Sequence, residues 1–321
     1  TFSLLFGFSF YIQFHNAEKR GTDFRGRFAW RMCLLFLFAQ LHALFYNGDI
    51  LLLYAVVGFA LIPVCKLKDK TVFWIAAILL LQPYEWGRAI YAMINLEYVP
   101  STGHFIPYYK LAQEVTSNGS FFEVLRSNIT DGQMYSNIWQ VENGRLFQTA
   151  ALFMFGMLLG RRKYFMKSEE SLRFWKKMLT GAILAFIPLY CLKTFVPDLL
   201  TNPSVQIPYK IAVPSYANFA FMIILVSIFT LLWFKKEKGY GWQSLLIPYG
   251  RMSLTNYISQ SIMGVIIYYG FGLAMYKYAG ATASLLIALL IFTVQLIFSR
   301  WWLARHKQGP LEFLWRKGTW I

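Results

Sequence analysis

His42 is the residue best placed to do chemistry, because it is an imidazole set in a lipid-length apolar run, RMCLLFLFAQLHALFYNGD, from Arg31 to Asp49. A charged side chain at the bilayer centre costs roughly 2.5 to 3.5 kcal/mol on insertion scales, so such groups face a protein interior or a wet cavity. Arg31 and His42 are eleven residues apart. That is close to three helical turns, which puts both on one face about 16 Å apart. A histidine in this position can serve as general base once a carboxylate orients it. Asp49, just past the Asn47-Gly48 turn, and Glu85 are the two carboxylates available for that task. Arg31 and Arg251, both near helix ends, are planar permanent cations suited to phosphate. Arg88 follows Glu85 at i, i+3, the spacing of a helical ion pair, and Asn256 and Gln260 offer hydrogen bonds to an oxyanion.

Each group also has a plainer use. Arg31 and Arg251 can snorkel to headgroups. His42 can be a packed histidine, Glu85 and Arg88 can neutralise each other, and the polar residues around Asn256 can hold helices together. No metal-ligand cluster, nucleotide-binding loop or serine elbow is present in the sequence, and no metal is expected.

The elements that must position these groups are transmembrane helices. Hydrophobic residues make up 57% of the 321 and aromatics 19%, well above a soluble domain. The net charge of +16 would suggest nucleic acid in a soluble chain, but here the basic residues gather in short connections between apolar runs, the positive-inside pattern. A lipid bilayer, not nucleic acid, is the expected partner. Cys33, Cys65 and Cys191 are scattered and read as packing residues. The predicted class is all-α, a polytopic transmembrane helical bundle forming a single integral membrane domain over 1–321. About nine spans are expected, at 1–14, 28–46, 50–66, 71–95, 146–160, 177–195, 211–234, 245–273 and 282–303. Lys19 to Arg27, Lys66 to Lys70, Arg161 to Lys177, Lys235 to Lys238 and the tail carry most of the cations, so every second connection is basic. That alternation predicts a cytoplasmic tail at about 304–321 and an extracytoplasmic region at about 96–145. Arg31 and Arg251 then lie toward the cytoplasm and His42 toward the outer side.

Two local features stand out. Pro83 should kink the fourth span and free a backbone carbonyl. Within the long connection, Ser120-Phe-Phe-Glu123 has capping-box spacing and predicts a short amphipathic helix through FFEVLRSN.

Three strings carry a resemblance: HALFYNGDILLLYAVVG, IPYGRMSLTNYISQS and SRWWLARHKQGPLEFLWR. With TFSLLFGFSF at the start, they resemble the YeiB-like family of bacterial inner-membrane proteins over nearly the whole chain. That family's pattern includes a preceding transmembrane helix with an Asp-x-x-Arg-Gly motif, so the chain is expected to lack an N-terminal helix. More distantly, the family is similar to the transmembrane acyltransferase superfamily that includes heparan-alpha-glucosaminide N-acetyltransferase. There a membrane-embedded histidine assists transfer from cytoplasmic acyl-CoA to an acceptor on the far side. Arg31 and His42 match an Arg-x10-His pattern of the O-acetylating branch, in which the pattern sits on a different helix. The resemblance implies an acyltransferase using acyl-CoA and an envelope glycan or lipid acceptor. A transporter or lipid-binding permease without covalent chemistry is the alternative.

Overall fold

The computed structural model describes residues 1–95, 97–98, 101–235 and 241–320, and these are helical with no strand among them. Of the basic connection expected after the seventh span, Lys236 and Lys238 lie outside the described residues. The first span is α1 (Phe2–Glu18) and the second α2 (Arg25–Ala43). The third is divided into α3 (Leu51–Gly58) and α4 (Leu61–Val64), and the fourth into α5 (Asp69–Leu80) and α6 (Pro83–Ile94). The long connection forms α7 (Phe105–Asn118), α8 (Phe121–Ser127), a π-helical turn at Asn128–Gly132 and α9 (Gln133–Glu142). Then come α10 (Arg145–Arg161), α11 (Glu169–Phe195) and α12 (Pro203–Lys235). The eighth expected span is broken at Met252 into α13 (Trp242–Arg251) and α14 (Ser253–Tyr268), followed by α15 (Ala281–Leu303) and α16 (Pro310–Thr319).

Of the nine expected spans, three are carried by helices long and apolar enough to cross a membrane among the described residues: Glu169–Leu199, Pro203–Lys235 and Ala281–Leu303. The others are helical where expected but are shorter, interrupted or, in α2, opened by Arg25 and Arg27. One of the long helices, α15, is inverted relative to a soluble fold. Along α15 the buried side chains are Gln295 and Ser299, while Leu285, Leu286, Leu290 and Ile297 are exposed. Only an apolar solvent favours that arrangement, so the chain is a membrane protein.

The described residues cluster into two compact units. The first comprises Thr1–Ala29, Val56–Gly103 and Gln140–Lys236. Within it α1 crosses α10 closely enough that a Cβ at Gly7 would lie 1.8 Å from the Phe153 carbonyl oxygen, and one at Gly156 would lie 1.9 Å from that of Leu4. Both positions therefore require glycine, the small-residue packing of membrane helices. Phe6 stacks on Phe153, and Trp175, fully buried, donates its indole N–H to the Tyr164 carbonyl at 2.7 Å.

The expected kink at Pro83 is a full break in this unit. Gln82 adopts the left-handed conformation at φ +55°, and Pro83 starts a new helix, where its missing N–H costs nothing. The Leu81 carbonyl accepts from the Tyr216 hydroxyl at 2.5 Å, and Trp86 donates to the same hydroxyl at 2.6 Å. The side chain of Gln82 is buried and donates to the Gly144 carbonyl at 3.0 Å.

The second unit comprises Trp30–Ala55, His104–Trp139 and Glu237–Ile321. Here the capping box forms as expected: Ser120 accepts from the Glu123 N–H, and Glu123 accepts from the Ser120 N–H at 2.7 Å. Those bonds hold the Glu123 carboxyl below its usual range. The π-turn that follows docks on the end of α2, where Asn128 donates to the Leu44 carbonyl at 3.0 Å and Gln133 to Gln40 at 3.0 Å.

Candidate functional site: a buried histidine held by aspartate

The second unit builds its site from the C-terminal end of α2. α2 stops at Ala43, and the Phe45 and Tyr46 N–H groups bond back to the His42 carbonyl. The chain then turns through Asn47-Gly48 and delivers Asp49 immediately before α3. There Asp49 closes the first turn of α3, its Oδ2 accepting from the Leu52 N–H at 3.3 Å. Its Oδ1 meets Nδ1 of His42 at 2.8 Å. The seven-residue separation in sequence thus becomes a direct contact because a helix end and a helix start share one tight turn.

Both groups are removed from solvent, His42 at 2% and Asp49 at 4% exposure. Tyr257 of α14 completes the arrangement. Its hydroxyl donates to Asp49 Oδ1 at 3.1 Å and accepts from the Ile50 N–H at 3.3 Å, and its ring centroid lies 5.2 Å from that of the imidazole. Tyr46 borders the imidazole as well, at 5.9 Å. The other ring nitrogen, Nε2 of His42, is buried and has no hydrogen-bond partner among the described residues. A neutral imidazole that donates from Nδ1 to a carboxylate presents a lone pair at Nε2, the arrangement of a general base.

Arg31, eleven residues earlier in the same helix, lays its guanidinium 4.2 Å from the Trp315 ring centroid, while Trp315 donates to the Arg31 carbonyl at 3.3 Å. Its Nε is buried without a partner among the described residues. Arg251 is exposed and donates to the Lys307 carbonyl at 2.7 Å. Both arginines thus meet the C-terminal segment. Asn256 is committed elsewhere: its amide donates to the Tyr249 carbonyl and to Ser299, and its backbone carbonyl accepts from Gln295 at 2.7 Å. This is an interhelical network between α14 and α15, and Gln260 is exposed on α14. Glu85 belongs to the first unit, where it is buried and paired with Arg88 at 3.2 Å. Asp49, not Glu85, is the carboxylate on the imidazole. No group of three histidine, cysteine or acidic side chains suited to a metal occurs among the described residues.

Four residues of this region lie outside the sequence-based set: Tyr46, Tyr257, Glu312 and Trp315. Glu312 accepts from the N–H groups of Leu254 and Thr255 at 2.7 and 3.0 Å and from the Thr255 hydroxyl at 2.6 Å. It thereby caps the N-terminus of α14 from a distant helix. The available signal was their membership of the three strings, which marks them without saying what they touch.

Relatives share the whole of this arrangement's sequence span. The chain is 28% identical to YxaH of Bacillus subtilis (strain 168) over 100% of its own length and 78% of that protein. It is 28% identical to a 39.9 kDa protein in the amylase 3' region of Bacillus acidopullulyticus, over 99% of this chain and 78% of that one. It is 26% identical to YeiB of Escherichia coli (strain K12), over 90% and 74%. No solved structure matches. The model of the DUF418 family, described as proteins of unknown function, matches residues 159–321, and the chain belongs to that YeiB-like family.

Proposed function

We propose that the chain is a transmembrane acyltransferase of the bacterial inner membrane that moves an acyl group from cytoplasmic acyl-CoA to an envelope glycan or lipid acceptor, with its C-terminus in the cytoplasm. One observation carries this reading: a buried imidazole whose Nδ1 is fixed on Asp49 and whose Nε2 has no partner among the described residues. In the reaction an acceptor hydroxyl gives its proton to Nε2 of His42 as its oxygen attacks the thioester carbonyl. The tetrahedral intermediate expels CoA thiolate as the C–S bond breaks, and the thiolate takes the proton from Nε2. Asp49 stabilises the imidazolium formed between those steps. Arg31, and Arg251 beside the same C-terminal segment, supply charge for the phosphates of the donor. The side chain of Asn256 is engaged with α15, so oxyanion stabilisation is not assigned to it.

A permease without covalent chemistry is the second reading. It draws support from the helix breaks at Gln82 and Met252, because irregular backbone at membrane depth lines cavities in transporters.

The test uses the full chain in lipid nanodiscs. Acetyl-CoA and longer acyl-CoAs should raise its unfolding temperature, and thiol release should appear when envelope extract is added. His42→Gln should keep the shift and lose turnover by about 10²-fold or more. Turnover unchanged in His42→Gln removes His42 from the chemistry. Solute flux in proteoliposomes without thioester consumption would establish the permease instead.

A further inference from the structure

We infer that Tyr257 and Glu312 are positioning residues for His42, and that α16 acts through them as a clamp setting where the Asp49 carboxylate meets the imidazole. The inference rests on the reading of His42 as the working group.

The connections are continuous within the second unit. Glu312 in the first turn of α16 holds the opening N–H groups of α14 through Oε1 and the Thr255 hydroxyl through Oε2. The Leu311 N–H returns a bond to that hydroxyl at 3.2 Å. Two residues beyond Thr255, Tyr257 leaves α14 to bond Asp49. α16 is also fastened to α2, which carries His42: Trp315 stacks on Arg31 and bonds its carbonyl, and Trp30 donates to the Gly318 carbonyl at 2.8 Å. One short helix therefore grips both the helix that bears the imidazole and the helix that bears the tyrosine.

Why the chain should need such a clamp follows from α14 itself. Met252, at φ −113° and ψ 34°, breaks the helix from α13, so α14 begins with free N–H groups inside an apolar run. Unpartnered donors there are costly, and no side-chain cap comes from α14's own N-cap residue. A carboxylate 57 residues away supplies the cap. Removing it releases the first turn, and Tyr257 follows directly after that turn. Asp49 would then keep only the Leu52 N–H and the imidazole among the bonds described above, and the carboxylate could swing between them.

The readout is water exchange of the proton on Nδ1 of His42, followed by NMR on the full chain in nanodiscs with ¹⁵N-labelled histidine. The chain has four histidines, and His42→Gln assigns the signal by its loss. Tyr257→Phe and Glu312→Ala should each speed exchange by about tenfold or more, the scale of a hydrogen bond to a charged group. Glu312→Gln retains an acceptor for the Leu254 and Thr255 N–H groups, so exchange should return most of the way to wild type. Ser120→Ala removes a cap from α8 and should leave the signal unchanged, which separates positioning from general loosening. Exchange within twofold of wild type in Tyr257→Phe overturns the inference, as does the same result in Glu312→Ala. Should Glu312→Ala fail to fold, Tyr257→Phe alone decides. No thioester enters the measurement, so an absence of acyl transfer in the wild type would sink the proposed function while this result stood or fell separately.

Discussion

Asp49→Asn separates the chemical use of the histidine from its structural use. The aspartate is 4% exposed, and the donors that reach it include Nδ1 of His42 at 2.8 Å and the Tyr257 hydroxyl at 3.1 Å on Oδ1, and the Leu52 N–H at 3.3 Å on Oδ2. Hydrogen bonds to a charged acceptor contribute about 1.5 to 3 kcal/mol each, and neutral ones about 0.5 to 1.5 kcal/mol. Asparagine keeps one acceptor oxygen. Two bonds weakened by about 1 kcal/mol each give a loss of about 2 kcal/mol, provided the amide oxygen stays toward His42 and Tyr257. Asp49→Ala strands these donors and should cost about 3 to 6 kcal/mol. Reversible unfolding in mixed micelles measures both. For turnover the order of importance changes: a neutral amide holds Nδ1–H less firmly than a carboxylate and no longer offsets the charge of the imidazolium formed in the reaction. Asp49→Asn should therefore lose about 10²- to 10⁴-fold in thioester turnover while still folding. Turnover within threefold of wild type, or a stability loss no larger for alanine than for asparagine, would refute the argument.

The remaining expectations concern groups away from the imidazole. Arg88→Met leaves Glu85 as a buried, unpaired carboxylate and should destabilise the protein by about 3 to 5 kcal/mol, most of it recovered in Glu85→Gln/Arg88→Met; failure of the double variant to recover would give the pair a role beyond mutual neutralisation. The capping box has a pH signature. The Glu123 carboxyl titrates below its usual range, so its contribution is fully present above the unfolded value of about 4.3 and is lost as pH falls through the lower folded value. The protection that Glu123→Gln removes from α8 amides at pH 6 should accordingly vanish in strong acid, as read by hydrogen exchange against wild type.

What was legible in the sequence was local. The Ser120 capping box, the Glu85 and Arg88 spacing and the Asn47-Gly48 turn each depend on residues within a few positions of one another, and each forms. Helix positions were legible for the same reason, since apolar runs of bilayer length mark them. Continuity within those runs was not. The break at Gln82 was legible only as a kink at Pro83 and the Met252 break was not legible, because what stabilises them comes from far off: Tyr216 for the Leu81 carbonyl and Glu312 for the Leu254 and Thr255 N–H groups. A periodicity argument sees only one helix at a time. Those breaks are one reason that, of the nine spans expected, three are carried by single helices long and apolar enough to cross a membrane among the described residues.

The site shows the same division more sharply. His42 and Asp49 were legible because one turn joins them, whereas Tyr257 reaches Asp49 across 208 residues. Yet each of the three specific strings contributes a side chain to one connected set: His42 and Asp49 from the first, Thr255 and Tyr257 from the second, Glu312 and Trp315 from the third. Bonds running from the third string to the second, and from the second to the first, give each string a physical reason to keep its residue types. A packing histidine alone would need an acceptor for Nδ1 and nothing more. Here the acceptor is itself held by a tyrosine, and the tyrosine's helix is capped by a remote carboxylate, while Nε2 has no partner among the described residues. An arrangement that fixes one ring nitrogen so heavily and leaves the other without a bond is what proton transfer at Nε2 requires, and that asymmetry favours chemistry over packing at His42.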